Sequence, residues 1–215
     1  MANVNLSFRL SLLATLGLCI AVTNETRAYT VSGPTWSQRP VSYFVNSANL
    51  DLPASAVEAA VRAGADTWHT QTNASFSFEF AGQSTLTTTT YDAVNLVVFR
   101  NASSGSAIAT TYWWSNSSGI VDADIVFWDE AFQFFSGSTG CSSGFYIEDV
   151  AAHEFGHALG LGHSTSPNAT MYPSVAACDT RNRTLDADDI AGVVALYPPS
   201  ATAPRAPTGL RVVGS

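Results

Sequence analysis

The sequence predicts an α+β fold in which one domain has its strands early and most of its helices late. Five short segments typical of strands lie between residues 36 and 128, and one Ala-rich helical segment lies among them. Two segments after residue 146 have apolar residues at helical spacing. The chain has 215 residues, 46% of them hydrophobic, which suits a single globular domain and excludes a disordered or collagen-like chain.

The early segments are predicted strands because they are short, partly alternating, and rich in β-branched and aromatic residues. They cover residues 36–46, 75–80, 94–99, 107–113 and 120–128. Residues 54–69 follow Pro53 and place Val57, Val61 and Trp68 at helical spacing, which predicts a helix.

Two helices are predicted after the last of these strands. Residues 147–159 carry an apolar stripe at helical spacing, and Gly160 and Gly162 end it. Residues 185–197 form the second predicted helix. Three aspartates lie around its first turn, where the helix dipole favours negative charge. They are Asp186, Asp188 and Asp189.

The composition is acidic, and this restricts the partners. Nine basic residues, all of them Arg, stand against 17 acidic ones, so the formal net charge is −8. A phosphate backbone or an anionic membrane surface would repel such a chain. We therefore expect neither a nucleic acid nor a membrane as a partner.

Residues 1–28 are predicted to be a signal peptide. Arg9 precedes an apolar run over residues 10–22, and Thr26-Arg27-Ala28 offers small residues at the −3 and −1 positions of a cleavage site. Cleavage after Ala21 is a second option. An uncleaved anchor is the other alternative, but about 13 apolar residues are too few for a bilayer that needs roughly 20. We therefore expect a secreted, extracellular protein.

Cleavage after residue 28 would leave residues 29–199 as the folded domain. Its two cysteines, Cys141 and Cys178, are predicted to form a disulfide, and the alternative is a thiol that acts as a nucleophile or metal ligand. Residues 200–215 are predicted to be a linker rich in Pro, Ala, Ser and Thr. Their last part resembles the first strand of a fibronectin type III module, and a frayed tail is the alternative.

A histidine cluster is the strongest functional signal in the sequence. Three of the four histidines lie within the eleven residues HEFGHALGLGH. His153 and His157 are four residues apart on a predicted helix, so both imidazoles can point at one metal ion. Gly160 permits a positive φ and a sharp turn, which can return His163 to the same ion. Three imidazoles leave a tetrahedral zinc ion with one open position, which is the arrangement of catalytic sites.

Glu154 adds an acid–base group to this cluster. It follows His153 directly, so it is rotated by about 100° around the helix axis and flanks the ion instead of binding it. A carboxylate there can act on a water molecule at the metal. The alternative is that the three histidines are ordinary polar residues on a helix.

These residues resemble a known family. HExxHxxGxxH followed by Thr170-Met171-Tyr172-Pro173 is similar to the metzincin signature with its methionine turn. Ser164, directly after the third histidine, resembles the matrixin branch, the matrix-metalloprotease-like endopeptidases. The order of the predicted elements over roughly residues 35–198 is also similar to that of matrixin catalytic domains.

The resemblance implies a zincin-like domain, with a twisted, mixed five-stranded sheet, an early helix, an active-site helix and a C-terminal helix. It implies a secreted zinc endopeptidase, monomeric as a catalytic domain, that cuts the peptide bonds of extracellular proteins. His153, His157 and His163 would bind one catalytic zinc ion, and Glu154 would be the general base. The alternative is a non-catalytic secreted domain of the adhesin type that keeps this fold and binds proteins or peptides.

The resemblance also implies where a substrate would bind. An extended peptide would pair with an exposed edge strand at residues 107–112. Residues 173–177 would wall the main specificity pocket, and Val175 and Ala176 predict an apolar side chain just after the cut bond. Met171 would form an apolar floor under the zinc ion.

Further metal ions are a separate question, and the first observation is a departure from the family. Animal matrixins hold a structural zinc ion with histidines whose places here are taken by Thr110 and by Ile125 or Val126, so we expect no second zinc ion. A group of acidic residues could supply oxygen ligands for calcium (Ca²⁺), or could be solvated turn carboxylates. Its members are Asp122, Asp124, Asp129 and Glu130.

Overall fold

The computed structural model describes residues 27–200. The predicted signal peptide and the predicted linker lie outside these residues, except for positions 27, 28 and 200. The described strands are β1 (Val41–Asn46), β2 (Phe78–Gln83), β3 (Leu96–Arg100), β4 (Ala109–Asn116), β5 (Gly119–Trp128), β6 (Phe134–Phe135) and β7 (Phe145–Tyr146). The helices are α1 (Ala54–Thr70), α2 (Ile147–Ala158) and α3 (Ala187–Leu196), and Arg181–Arg183 form a 3₁₀ turn.

Five of the strands form one mixed sheet in the order β2-β1-β3-β5-β4. β1 pairs in parallel with β2 and β3, and β3 pairs in parallel with β5. β4 runs antiparallel to β5 and lies at the edge of the sheet. The predicted α+β class, the mixed five-stranded sheet and the three helices are therefore confirmed.

Two strands are shifted from their predicted positions near the start of the domain. The first begins at Val41 instead of residue 36, because Pro40 has no N–H group to donate to the ladder. Trp36 is buried instead, and its indole nitrogen donates to Ala158 O at 2.8 Å. The second covers Phe78–Gln83 instead of residues 75–80, since Phe78 is the register partner of Val41.

The three helices lie within two residues of their predicted bounds. Asp186 caps α3 instead of lying inside it: its side chain accepts from Asp188 N, and the Asp189 carboxylate accepts from Asp186 N, which is a capping box. The short pair of β6 and β7 was not predicted, because two-residue strands carry no periodic signal. Among the described residues, no helix has the length and apolar character required to span a bilayer.

Helices α1 and α2 share the main hydrophobic core with the sheet. Gly64 lets the two helices approach closely, since a Cβ at this position would lie 2.6 Å from Ala151 Cβ and 2.7 Å from Ala152 N. Trp68 is buried, and its indole nitrogen donates to Ala152 O at 2.8 Å. Helix α1 thereby sets the depth and rotation of α2 at the residue next to His153.

Candidate metal centre and active site

The structure brings the three clustered histidines together. His153 and His157 lie on one face of α2, and their Nε2 atoms are 3.1 Å apart. Gly160 follows the helix with a φ of +110°, so the chain makes the sharp turn that this glycine predicts. His163 Nε2 thereby comes within 3.2 Å of His157 Nε2. In residues 27–200, this is the one group of three or more potential metal-ligating side chains.

Backbone carbonyls determine which nitrogen carries the proton in two of these rings. His153 Nδ1 lies 2.7 Å from Thr170 O, and His157 Nδ1 lies 2.9 Å from Leu161 O. A carbonyl only accepts hydrogen bonds, so each Nδ1 carries the proton and each neutral ring presents a lone pair at Nε2. Two lone pairs that face each other across 3.1 Å repel, and a cation between them removes the repulsion.

A zinc ion fits this position better than a proton does. Burial, followed by the neighbouring His157, lowers the pKa of His153 to about 3. Burial also lowers the pKa of His163. Zinc–nitrogen distances of about 2.0–2.1 Å in a tetrahedral site separate the ligand nitrogens by roughly 3.3 Å. The two separations from His157, 3.1 and 3.2 Å, are close to this value. The ligand atoms of all three imidazoles lie within 4.8 Å of one another, so the group fits a zinc ion.

Glu154 lies beside the histidines and is only 6% exposed. Thr111 Oγ1, on β4, donates to Glu154 Oε2 at 2.6 Å, and no other hydrogen bond reaches this carboxylate from the described residues. Burial raises the pKa of Glu154, whereas the nearby His157 and the hydrogen bond from Thr111 lower it. The second carboxylate oxygen, Oε1, is left for a partner in the adjoining cavity.

The methionine turn packs against α2 between its two histidines. Met171 is fully buried, and a Cβ at Gly156 would collide with the Met171 sulfur. Asp189 holds the turn, because its carboxylate accepts from Thr170 N at 2.7 Å and from Met171 N at 3.0 Å. The same turn supplies the Thr170 carbonyl that orients His153. Met171 therefore lies where the family resemblance predicts an apolar floor.

The segment that carries the third histidine is held from both sides. Thr30 Oγ1 donates to His163 O at 2.8 Å. Ser164 is buried, and its hydroxyl donates to Asp188 Oδ2 at 2.6 Å. Ser164 N donates to Met171 O at 2.8 Å, which connects this segment to the methionine turn. Ser164, the residue on which the resemblance to the matrixin branch rests, thus connects the segment of the third histidine to α3 and to the methionine turn.

A cavity of about 420 Å³ lies beside the histidines and Glu154. The edge strand β4 and the residues just before it form one side, where Ala109, Thr111 and Trp113 line the cavity. The predicted substrate edge at residues 107–112 overlaps β4, which begins at Ala109 and continues to Asn116. The cavity is therefore bounded by an edge strand on one side and by α2 on another.

The opposite wall is less apolar than the sequence predicts. Pro173, Ser174 and Val175 line the cavity, as expected for the predicted wall at residues 173–177. Ala176 is not among the residues that line this cavity. Asn182, which is 4% exposed, lines the cavity instead. Asn182 belongs to the 3₁₀ turn Arg181–Arg183, which follows the predicted wall in the sequence.

A disulfide and an ion pair hold this wall. Cys178 is bonded to Cys141, with Cα atoms 5.5 Å apart, so the predicted pairing is confirmed. Arg183 Nε donates to the buried Asp149 Oδ2 at 2.6 Å, and Arg183 also reaches Glu148 at 3.2 Å. The wall segment is thereby tied to the first turn of α2.

The sequence does not predict three features of this site, namely Thr111, Asn182 and the pair of Asp149 with Arg183. Thr111 lies 43 residues before Glu154, and Arg183 lies 34 residues after Asp149. Each depends on residues that are distant in sequence and that belong to different elements. No periodicity or motif marks such a residue, so no signal in one sequence could have found them.

Thr110 is one of the positions that the family resemblance relates to a second zinc ion, and its side chain is engaged within the sheet. Thr110 pairs with Val126 across the ladder of β4 and β5. The hydroxyl of Thr110 accepts a hydrogen bond from the indole nitrogen of Trp128 at 2.9 Å. This position is therefore occupied by a side-chain hydrogen bond within the sheet.

The acidic residues considered for calcium are mostly buried. Asp122 and Asp124 accept hydrogen bonds from backbone N–H groups within residues 90–96. Asp129 accepts from Leu50 N at 2.6 Å, and Glu130 is exposed. The first three are therefore not the solvated turn carboxylates of the alternative interpretation. They hold the segment over residues 90–96 and the backbone at Leu50.

The mixed sheet, the helix with two histidines and the methionine turn are those of the metzincin class that the sequence resembles. Within that class, the chain belongs to the matrixin family, because the profile of the matrixin peptidases matches residues 35–198.

Curated relatives carry the same similarity over shorter stretches. The chain is 49% identical to neutrophil collagenase of Homo sapiens over 71 residues, which are 33% of this chain and 15% of that protein. It is 48% identical to matrilysin of Homo sapiens over 58 residues, 27% of this chain and 22% of that protein. It is 52% identical to metalloendoproteinase 1-MMP of Arabidopsis thaliana over 54 residues, 25% of this chain and 15% of that protein. The match thus spans less than a quarter of the length of these relatives.

Proposed function

We propose that this chain is a zinc endopeptidase that hydrolyses peptide bonds of extracellular proteins. The observation that carries the proposal is the convergence of three imidazole Nε2 atoms beside the Glu154 carboxylate, at an open cavity. Membership of the matrixin family supports the same chemistry. When it is bound by His153, His157 and His163, zinc supplies Lewis acidity, which lowers the pKa of water and polarises a peptide carbonyl.

Glu154 is the general base in this proposal. Its carboxylate takes one proton from the attacking water and then transfers that proton to the nitrogen of the leaving amine. The products are a carboxylic acid and an amine, and Glu154 returns to its starting state. Burial raises the pKa of Glu154, which brings its proton affinity closer to what acid–base catalysis requires near neutral pH.

The edge strand β4 binds the substrate backbone in this proposal. Within residues 27–200, β4 pairs only with β5, so its outer edge is available to an extended peptide. Residues 106–111 line the cavity, so a peptide on this edge passes Glu154. The side chain after the cut bond then faces a wall that includes Val175 beside the polar residues Ser174 and Asn182.

We also propose that the protein is secreted. The disulfide between Cys141 and Cys178 supports an oxidising compartment, where such bonds persist. The predicted signal peptide over residues 1–28 supports the same compartment.

Cleavage of a library of quenched fluorescent peptides tests the proposal. We expect the zinc-loaded protein to cleave some of them, a chelator to stop cleavage, and added zinc to restore it. His163→Ala should lose both zinc and activity, whereas His69→Ala, which changes the one histidine outside the cluster, should keep both. A protein that binds zinc but cleaves no peptide in the library would favour the non-catalytic binding domain and contradict the proposal.

A further inference from the structure

We infer that Thr111 is a positioning residue for Glu154, because its hydroxyl holds the carboxylate in the orientation that proton transfer requires. The inference rests on the proposed endopeptidase function. Thr111 belongs to β4, 43 residues before Glu154, and lies outside the histidine motif.

The contact between the two residues is short and buried. Thr111 Oγ1 lies 2.6 Å from Glu154 Oε2 and 3.0 Å from the backbone oxygen of Glu154. A hydroxyl group has one proton, and the shorter distance assigns that proton to the carboxylate oxygen. Glu154 is only 6% exposed, so solvent has little access to replace this donor.

Because the Thr111 hydroxyl bonds only one carboxylate oxygen, the two oxygens of Glu154 can have different roles. Thr111 holds Oε2 towards β4, which leaves Oε1 for a partner in the cavity. No second group from the described part of the chain hydrogen-bonds to this carboxylate. Without the hydroxyl, the terminal torsion of Glu154 therefore loses its constraint, since such torsions are intrinsically broad. Misplacement of a catalytic group slows the chemical step more than it weakens substrate binding.

The position of Thr111 on an edge strand gives this hydrogen bond a second consequence. The backbone of β4 is the surface on which the proposed substrate would pair, and the Thr111 side chain reaches α2 from that same strand. Thr111 thus fixes the position of the general base relative to the strand that would bind the peptide.

Thr67 provides a matched control, because it is 4% exposed, donates to Ala63 O at 3.1 Å within α1, and does not line the cavity.

Steady-state kinetics of three variants test the inference. We expect Thr111→Val to lower kcat about tenfold or more while KM stays within about twofold, because the base is misplaced but the substrate strand is intact. Thr111→Ser keeps the hydroxyl and should restore kcat to near the wild-type value. Thr67→Val should leave both constants unchanged, and all three variants should bind the same amount of zinc as the wild type.

A kcat of Thr111→Val equal to that of Thr67→Val would overturn the inference, and so would an equal loss of kcat in Thr111→Ser. Crystal structures of the wild type and of Thr111→Val give a readout that does not depend on activity. We expect the Glu154 carboxylate to rotate or to occupy several positions in the variant, and an unchanged carboxylate would also overturn the inference. A wild-type protein without activity would instead contradict the proposed function, and the structural comparison would then decide on Thr111 alone.

Discussion

Two buried carboxylates near the candidate active site have opposite surroundings. Asp189 is 0% exposed and accepts three backbone N–H groups, two from the methionine turn and one from the start of α3. Glu154 is 6% exposed and accepts one hydrogen bond, from the side chain of Thr111, while it lines the cavity. Asp189 is therefore saturated by its own chain, and Glu154 is not.

The two carboxylates show how a group that holds the chain can be distinguished from a group that is available for acid–base chemistry. Burial does not distinguish them, because it raises the pKa of both Asp189 and Glu154. The hydrogen-bond partners do distinguish them. A carboxylate that binds several backbone donors fixes the chain, whereas one with an open oxygen in a cavity is available to a substrate or to water.

The largest effect is expected from Glu154→Gln. The amide cannot accept a proton from water, so kcat/KM should fall by about 10²–10⁴-fold. The free energy of unfolding should change by less than about 1 kcal/mol, since only one hydrogen bond is altered. Peptide cleavage and urea denaturation measure the two quantities. Glu79→Gln, at an exposed carboxylate on β2 outside the cavity, is the matched control, and a similar loss of activity there would contradict the assignment.

Asp189→Ala should show the reverse pattern, with loss of stability as the primary change. It removes the acceptor of three backbone donors, two of them buried in the methionine turn, and each unpaired group costs about 1–3 kcal/mol. We expect the free energy of unfolding to fall by about 4 kcal/mol, measured by urea denaturation. Asp66→Ala, at a site with an exposed carboxylate, should change it by less than about 0.5 kcal/mol. A loss below about 1 kcal/mol in Asp189→Ala would show that this carboxylate does not hold the turn.

The disulfide between Cys141 and Cys178 is expected to affect both stability and the shape of the cavity wall. Cys141 and Cys178 are 37 residues apart, and removal of such a bond costs about 3 kcal/mol. We expect the double variant Cys141→Ser, Cys178→Ser to lose that stability and to cleave a peptide library with a broader preference after the cut bond. An unchanged cleavage profile would show that Arg183 and its partners on α2 are sufficient to hold the wall.

The smallest expected effect concerns Asp124, a third buried carboxylate. Burial raises its pKa from 3.8 to about 7, while its hydrogen bonds from Leu96 N and Thr90 N lower it. Because the folded-state pKa is above the ordinary value, the contribution of Asp124 to stability is complete below pH 4 and is lost as the pH rises to about 7. The wild type should therefore lose stability relative to Asp124→Asn as the pH rises from 4 to 7. Urea denaturation at several pH values measures this difference, and a pH-independent difference would contradict it.

Much of the fold could be predicted because its signals are local. The helices follow from apolar spacing and from Gly160 after α2, and the fold class follows from the order of the elements. The starts of β1 and β2 could not be predicted from alternation, since Pro40 and the register with Phe78 decide where the ladder begins.

The site also contains residues with a local sequence signal and residues that only tertiary packing brings together. The three histidines and Glu154 lie within eleven consecutive residues, so their spacing on one helix and one turn is sufficient to bring them together. Thr111 and Asn182 reach the site from distant segments, and only tertiary packing places them. The predicted wall over residues 173–177 therefore omits Asn182, which also lines the cavity.

The most direct measurement is X-ray diffraction at the zinc absorption edge from crystals grown with zinc. We expect one anomalous peak, about 2.0–2.1 Å from the Nε2 atoms of His153, His157 and His163. A map with no peak among these three rings, or with zinc bound only by other residues, would contradict it.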